Sequence, residues 1–252
     1  FINEGTIKGK IGIENGDGSF NGTITVGTFE NKNGGTIDGH IYMGIWQGNG
    51  GTISIENFNN EGTITMTNTN GHNDGVIYFE GTTHIKTFKN TGTIQSNNNK
   101  NSITVKAQGN QTPTLENFIN EGTIKGKIGI ENGDGSFNGT ITVKTFENKG
   151  TGFIDGDIYM GLWQGNGGTI SIENFNNEGT ISGVSRNEKG VHFEGKNSAK
   201  VHIKTFHNQQ NGTIESKDRQ GVYFQGNVHV ETFHNEGFIS GSGDNSQAGG
   251  LY

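Results

Sequence analysis

The sequence predicts an all-β chain: a right-handed parallel β-helix of about eight to nine rungs, each of about 29 residues with three strands. Three observations carry this. A signature, Phe-x-Asn followed by Gly-(Thr/Phe)-Ile, begins at Phe1, Phe29, Phe58, Phe88, Phe118, Phe146, Phe175, Phe206 and Phe233, a period of the solenoid kind. Between signatures, apolar and polar residues alternate, with β-branched side chains and glycine at the boundaries, which are strand signals. No window combines helical apolar spacing with a cap. A propeller blade needs four strands and usually about 40 or more residues, so it fits less well.

Each repeat divides into three extended pieces. The first is Gly-Thr-Ile, as in Gly5-Thr6-Ile7-Lys8-Gly9. The second alternates and then meets glycine, as in Val191-His192-Phe193-Glu194-Gly195 and Ile77-Tyr78-Phe79-Glu80-Gly81. The third runs into the next signature, as in Gly139-Thr140-Ile141-Thr142-Val143-Lys144-Thr145-Phe146. Rungs stacked at about 4.8 Å make a rod of about 38 Å from eight of them, and parallel crossovers set the right-handed expectation. Pro113 stands where other rungs carry Ile or Val, so that rung is expected to lose a ladder hydrogen bond.

Stacking predicts columns. Val26, Ile55, Ile85, Leu115, Val143, Ile172, Ile203 and Val230 share one core position, and the nine signature phenylalanines another. Two residues before the phenylalanine, Glu56, Lys86, Glu116, Lys144, Glu173, Lys204 and Glu231 alternate in sign, so neighbouring rungs attract and a one-rung slip repels. Lys8 beside Asp38 and Lys125 beside Asp155 repeat the pattern on the first strand. Asparagine follows each phenylalanine by two: Asn3, Asn31, Asn60, Asn90, Asn120, Asn148, Asn177, Asn208 and Asn235. Asparagine tolerates left-handed backbone and bonds nearby main chain, so this column reads as a structural corner ladder rather than a ligand site.

A longer period is nested in the short one. Residues 1–60 recur as 118–177, an offset of 117, so residues 1–252 read as a single solenoid segment grown by block duplication. The chain begins inside a repeat without an initiator methionine and is expected to be a segment of a longer protein.

Composition narrows the function classes. Hydrophobic residues make up only 28%, yet they are periodic, as a narrow repeated core requires. A net charge of −7 without a basic patch disfavours nucleic acid and anionic membranes. No apolar window is long enough to insert in a bilayer as a helix. The chain has no cysteine, which excludes disulfides and thiolate metal sites.

Candidate chemistry is sparse. Asp38 and Asp155 are four rungs apart, about 19 Å, too far for the roughly 5–9.5 Å of paired glycosidase carboxylates. Asp155 and Asp157 are closer in sequence, but the first block has His40 in place of Asp157, so solvated charge is the simpler reading and no catalytic residue is assigned. His84, His202 and His229 share one column, and His207 and His234 another. Cross-rung pairs of outward polar residues account for these, and no metal or cofactor is expected. Asn15–Ser19 and Asn132–Ser136 read as turns, with too few acids for a calcium loop.

The duplicated Ile-Tyr-Met-Gly-(Ile/Leu)-Trp-Gln-Gly places Tyr42 and Trp46, then Tyr159 and Trp163, beside glycines. An outward tryptophan there is a sugar-stacking platform. Aligning Trp46-Gln47-Gly48 with Phe224-Gln225-Gly226 predicts instead that it faces the core. Repeats disagree mostly between first and second strands, at Thr67–Gly75, Ser96–Ser102, Gly183–Gly190 and Glu215–Gly221. Insertions at one register of a solenoid project from one edge, often the binding edge. Tyr42, Trp46, Tyr159, Trp163, His72 and Asp74 are therefore the candidate ligand-binding residues.

The unit Asn120-Glu121-Gly122-Thr123-Ile124-Lys125-Gly126, repeated along essentially the whole chain, resembles passenger-domain repeats of Gram-negative autotransporter and haemagglutinin-type adhesins. That resemblance implies a β-helical stalk displayed on the outer surface or secreted, with signal peptide and membrane barrel elsewhere in the protein. Adhesion to a host glycan or surface protein, without enzymatic activity, is the function expected, with self-association between solenoids as a further expected contact. A purely structural stalk or spacer is the alternative, and a polysaccharide-degrading β-helix enzyme a second. An ice-binding array needs a flat Thr face, which Phe153 and Phe238 break.

Overall fold

The computed structural model describes residues 1–15, 20–45, 50–67, 75–97, 100–133, 135–164, 167–185, 187–242 and 249–252. Among them the chain forms three parallel sheets of nine strands each, and no helix. Every third strand belongs to the same sheet, so the chain visits each sheet once per rung and stacks on the rung before. This is a β-solenoid with three strands per turn.

The first sheet holds the Gly-Thr-Ile strands, such as Thr123–Lys125, and the second the alternating strands, such as Ile158–Leu162. The third holds the long strands that end in the signature, such as Thr140–Asn148. Register is exact in type along the third sheet: Val143 pairs with Leu115 and Ile172, and Phe146 with Phe118 and Phe175. One side of each sheet therefore feeds a single core running the length of the rod. The signature phenylalanines stack face to face within it, with ring centroids 4.5 to 5.0 Å apart from Phe1 to Phe233. Periodic apolar residues suffice because each rung buries its few against two neighbours.

Corners carry the second continuous element. Each ladder asparagine donates Nδ2–H to the Oδ1 of the next, from Asn3 to Asn235, at 2.8 to 2.9 Å. The same amide donates to a glycine carbonyl just past its own corner, as Asn120 does to Gly122. Left-handed backbone, one reason for expecting asparagine, is not used by the ladder: among the described residues the positive-φ non-glycine ones are Asn187 and Asn197. The ladder asparagines end extended strands, and what selects them is an amide that both donates and accepts along the axis.

Glycine follows for want of space. A Cβ on Gly122 would collide with the carbonyl oxygen of Gly92 one rung back, the oxygen that accepts the Thr123 N–H. Pro113 acts as expected, leaving a strand that begins only at Thr114, where the neighbouring strands Thr83–Asn90 and Thr140–Asn148 begin one and two residues earlier in register. On the outer face of the third sheet, Lys86–Glu56 and Lys144–Glu116 pair at 2.9 and 3.0 Å across rungs. Glu231 takes His202 as its partner rather than Lys204. Asp38 stands in register with Lys8, yet its carboxylate accepts from the backbone N–H and hydroxyl of Thr67 instead, which hold it below the usual carboxylate range.

Candidate functional site

The outer face of the second sheet carries the least regular chemistry. Its strands alternate strictly, so Ile158 and Met160 enter the core while Tyr159 and Gly161 face out. The outward column reads Tyr42, Tyr78, Thr104, Gly129, Tyr159, His192, Tyr223 along the rod. Rings in it touch across rungs: Tyr42 and Tyr78 at 5.5 Å, Tyr159 and His192 at 5.1 Å, His192 and Tyr223 at 5.0 Å.

Glycine explains how these rings lie. Tyr42 rests flat over Gly44 of its own strand, where a Cβ would come within 2.7 Å of the phenol carbon. Its hydroxyl donates to Glu80 Oε2 on the next rung at 2.7 Å. The second copy places Tyr159 over Gly161 in the same way, and its hydroxyl donates to Glu194 Oε2 on the next rung at 2.7 Å. A lysine covers each outer ring: Lys10 at 5.0 Å from Tyr42 and Lys127 at 4.3 Å from Tyr159. Tyr42 and Tyr159, two of the candidate ligand-binding residues, are thereby buried. Burial and the Glu194 carboxylate push the Tyr159 hydroxyl pKa up, so it stays a donor.

Trp163 corrects the sequence alignment. The core column that contains Phe224 runs through Phe193 to Met160 in the second block and Phe79 to Met43 in the first. Methionine, not tryptophan, fills the core position, and Trp163 lies beyond the end of the strand with 40% of its surface exposed. Asn132, one rung back, holds this turn: its Oδ1 accepts the Trp163 N–H at 3.2 Å and its Nδ2 donates to the Gln164 carbonyl at 2.9 Å.

Trp163 and Tyr159 line one groove of about 320 Å³ with Lys106, Lys127, Glu131 and Asn132. An exposed indole beside a carboxylate and two ammonium groups offers an apolar face and hydrogen-bonding groups of both kinds, with Asn132 holding the turn that presents the indole. That combination suits a polar ligand with an apolar ring face. Trp46, His72 and Asp74 lie outside the described residues, so the first-block counterpart of the groove is not described.

Two of the edge insertions form a second groove. The described residues of 187–190 and 215–221 bond each other, Ser216 Oγ donating to the Glu188 carbonyl at 2.7 Å and Asn187 N–H to Asp218 Oδ2 at 2.8 Å. Arg219 reaches the Asn187 side chain. Together with Lys189, Gln220, Tyr223 and Gln225 they enclose about 300 Å³.

Between the two grooves sits Asp157, which sequence reasoning took for solvated charge. It is buried, its Oδ1 has no hydrogen-bond partner among the described residues, and burial pushes its pKa up to about 7 against the pull of Lys127 and Lys189. His40 takes the equivalent place in the first block, its Nδ1 2.7 Å from the Gly75 carbonyl oxygen. The signal for burial was present: Asp157 directly precedes a fully inward Ile158, at the corner between two sheets.

Fold and site together define a β-solenoid with one outer face modified by aromatic residues and edge insertions. No family model, curated protein or solved structure matches the chain.

Proposed function

We propose that this chain is a β-solenoid passenger segment displayed on a bacterial surface or secreted, where it acts in adhesion by holding a host glycan or surface protein. The observation that carries the reading is the groove at Trp163, where an exposed indole and Glu131, Asn132, Lys106 and Lys127 converge on an otherwise regular rod. Indole faces stack on the apolar faces of sugar rings, while carboxylate and ammonium groups accept from and donate to hydroxyls. The similarity of the Asn-x-Gly-Thr-Ile repeat to autotransporter passengers supports the surface setting. The second groove, built from the edge insertions, adds a further contact region on the same face.

A glycan array probed with the wild-type chain and with Trp163→Ala tests this. Binding by the wild type that is lost in Trp163→Ala, with an unchanged melting midpoint, supports the groove as the contact. Binding that survives the substitution removes the groove from the reading, and no binding to glycans or host-cell surfaces favours a stalk whose role is reach.

A further inference from the structure

We infer that His207, His234 and Glu236 form a site for a divalent transition-metal ion, with water completing its coordination. His207 and His234 are register partners on the strands Lys200–Asn208 and Val228–Asn235. Their rings stack at 4.7 Å and 7°, and the Nε2 atoms of both face Glu236. Glu236 follows the corner and turns back along the strand. Its Oε2 lies 2.8 Å from His207 Nε2 and its Oε1 3.9 Å from His234 Nε2. One ligand atom from each of the three lies within 4.8 Å of the others.

Two imidazoles and one carboxylate match zinc in its common three-ligand form, with bonds of about 2.0–2.2 Å. Ligand atoms of one tetrahedral ion are then roughly 3.4 Å apart, so small rotations of exposed side chains close the site. Imidazole donors favour zinc, nickel and copper over calcium and magnesium. Five residues back along the same strands, His202 and His229 stack at 5.3 Å with Glu231 at 2.9 Å from His202, but among the described residues that group does not converge on one point. The histidine column alone did not indicate a metal; Glu236, contributed from beyond the corner, supplies the third ligand. Bound metal ties the last strand of the third sheet to the one before it.

Calorimetric titration with Zn²⁺ and with Ni²⁺ near neutral pH, paired with melting curves, tests the site. One equivalent of metal and a raised midpoint are expected. His207→Ala and His234→Ala should each weaken binding roughly tenfold or more. Glu236→Gln should weaken it less, and the His202→Ala/His229→Ala double variant should bind as the wild type does. Because these side chains lie at the surface, the metal-free variants should melt like the parent. Absence of binding at millimolar metal, binding retained by His207→Ala/His234→Ala, or binding lost from the His202/His229 pair instead would each overturn the assignment.

Discussion

The Tyr159 hydroxyl donates a 2.7 Å hydrogen bond to the Glu194 carboxylate one rung along the rod, its ring laid across Gly161. The same geometry recurs at Tyr42, Gly44 and Glu80: the tyrosine and glycine are copied by the block duplication, while each glutamate comes from the following rung, outside the duplicated stretch. Tyr159→Phe leaves a buried carboxylate oxygen without its donor, and the cost expected is about 1–3 kcal/mol. A double-mutant cycle with Glu194→Gln, followed by urea unfolding, measures the coupling; zero coupling removes the clamp.

Asn120 tests the axial ladder. Its side chain accepts from Asn90 and donates to Asn148 in a fully buried corner. Asn120→Ala is expected to destabilise by roughly 1–3 kcal/mol, because the Asn148 Oδ1 loses its donor. Asn120→Asp should cost more, since a carboxylate cannot donate and burying its charge is unfavourable. An unchanged unfolding midpoint for either variant excludes a structural ladder.

Gly5 and Gly122 occupy the same motif position with different surroundings. A Cβ on Gly122 meets the Gly92 carbonyl, whereas a Cβ on Gly5 meets nothing within 4 Å. Gly122→Ala is expected to cost about 1–3 kcal/mol through forced backbone shifts, and Gly5→Ala to fall within about 0.5 kcal/mol. Equal shifts in midpoint would show that rung-to-rung approach is not what glycine serves here.

Asp157 should impose a pH dependence. In the unfolded chain its carboxyl ionises near 3.8, and in the folded chain near 7 because burial disfavours the charge. From about pH 4 to about 7 the native state therefore holds a proton that the unfolded state has released, and stability falls as pH rises. The full effect is on the order of 4 kcal/mol. His192, pushed down to about 3 by burial and the nearby Lys189 charge, slopes the other way between about 3 and 6.5. Comparing Asp157→Asn with the wild type isolates the first effect: the stability difference should grow in favour of the variant across that window. A difference independent of pH refutes it.

Much of this fold could be read from residue order. The signature period, the Val26-to-Val230 column and the Lys86–Glu56 pairing all follow from one rule, that equivalent residues stack. The candidate site was less legible. Trp46-Gln47-Gly48 and Phe224-Gln225-Gly226 look interchangeable as strings, and nothing local states that the second-block strand places Met160 in the core and lets Trp163 pass beyond its end. Residue types were also insufficient for Asp38, which pairs with Thr67 rather than the lysine beside it.

Repetition made the architecture a local property: each rung needs only its own alternation, corner asparagine and glycine to dictate how the next one sits. The departures from repetition were decided in space. Burial of Asp157, the flat Tyr159 over Gly161, and the approach of Glu236 to His207 each depend on side chains two to 35 residues apart, meeting across a corner or a rung. Such contacts leave no periodic trace, because the energy that fixes them arises from desolvation and neighbouring charge rather than from the stacking that repeats.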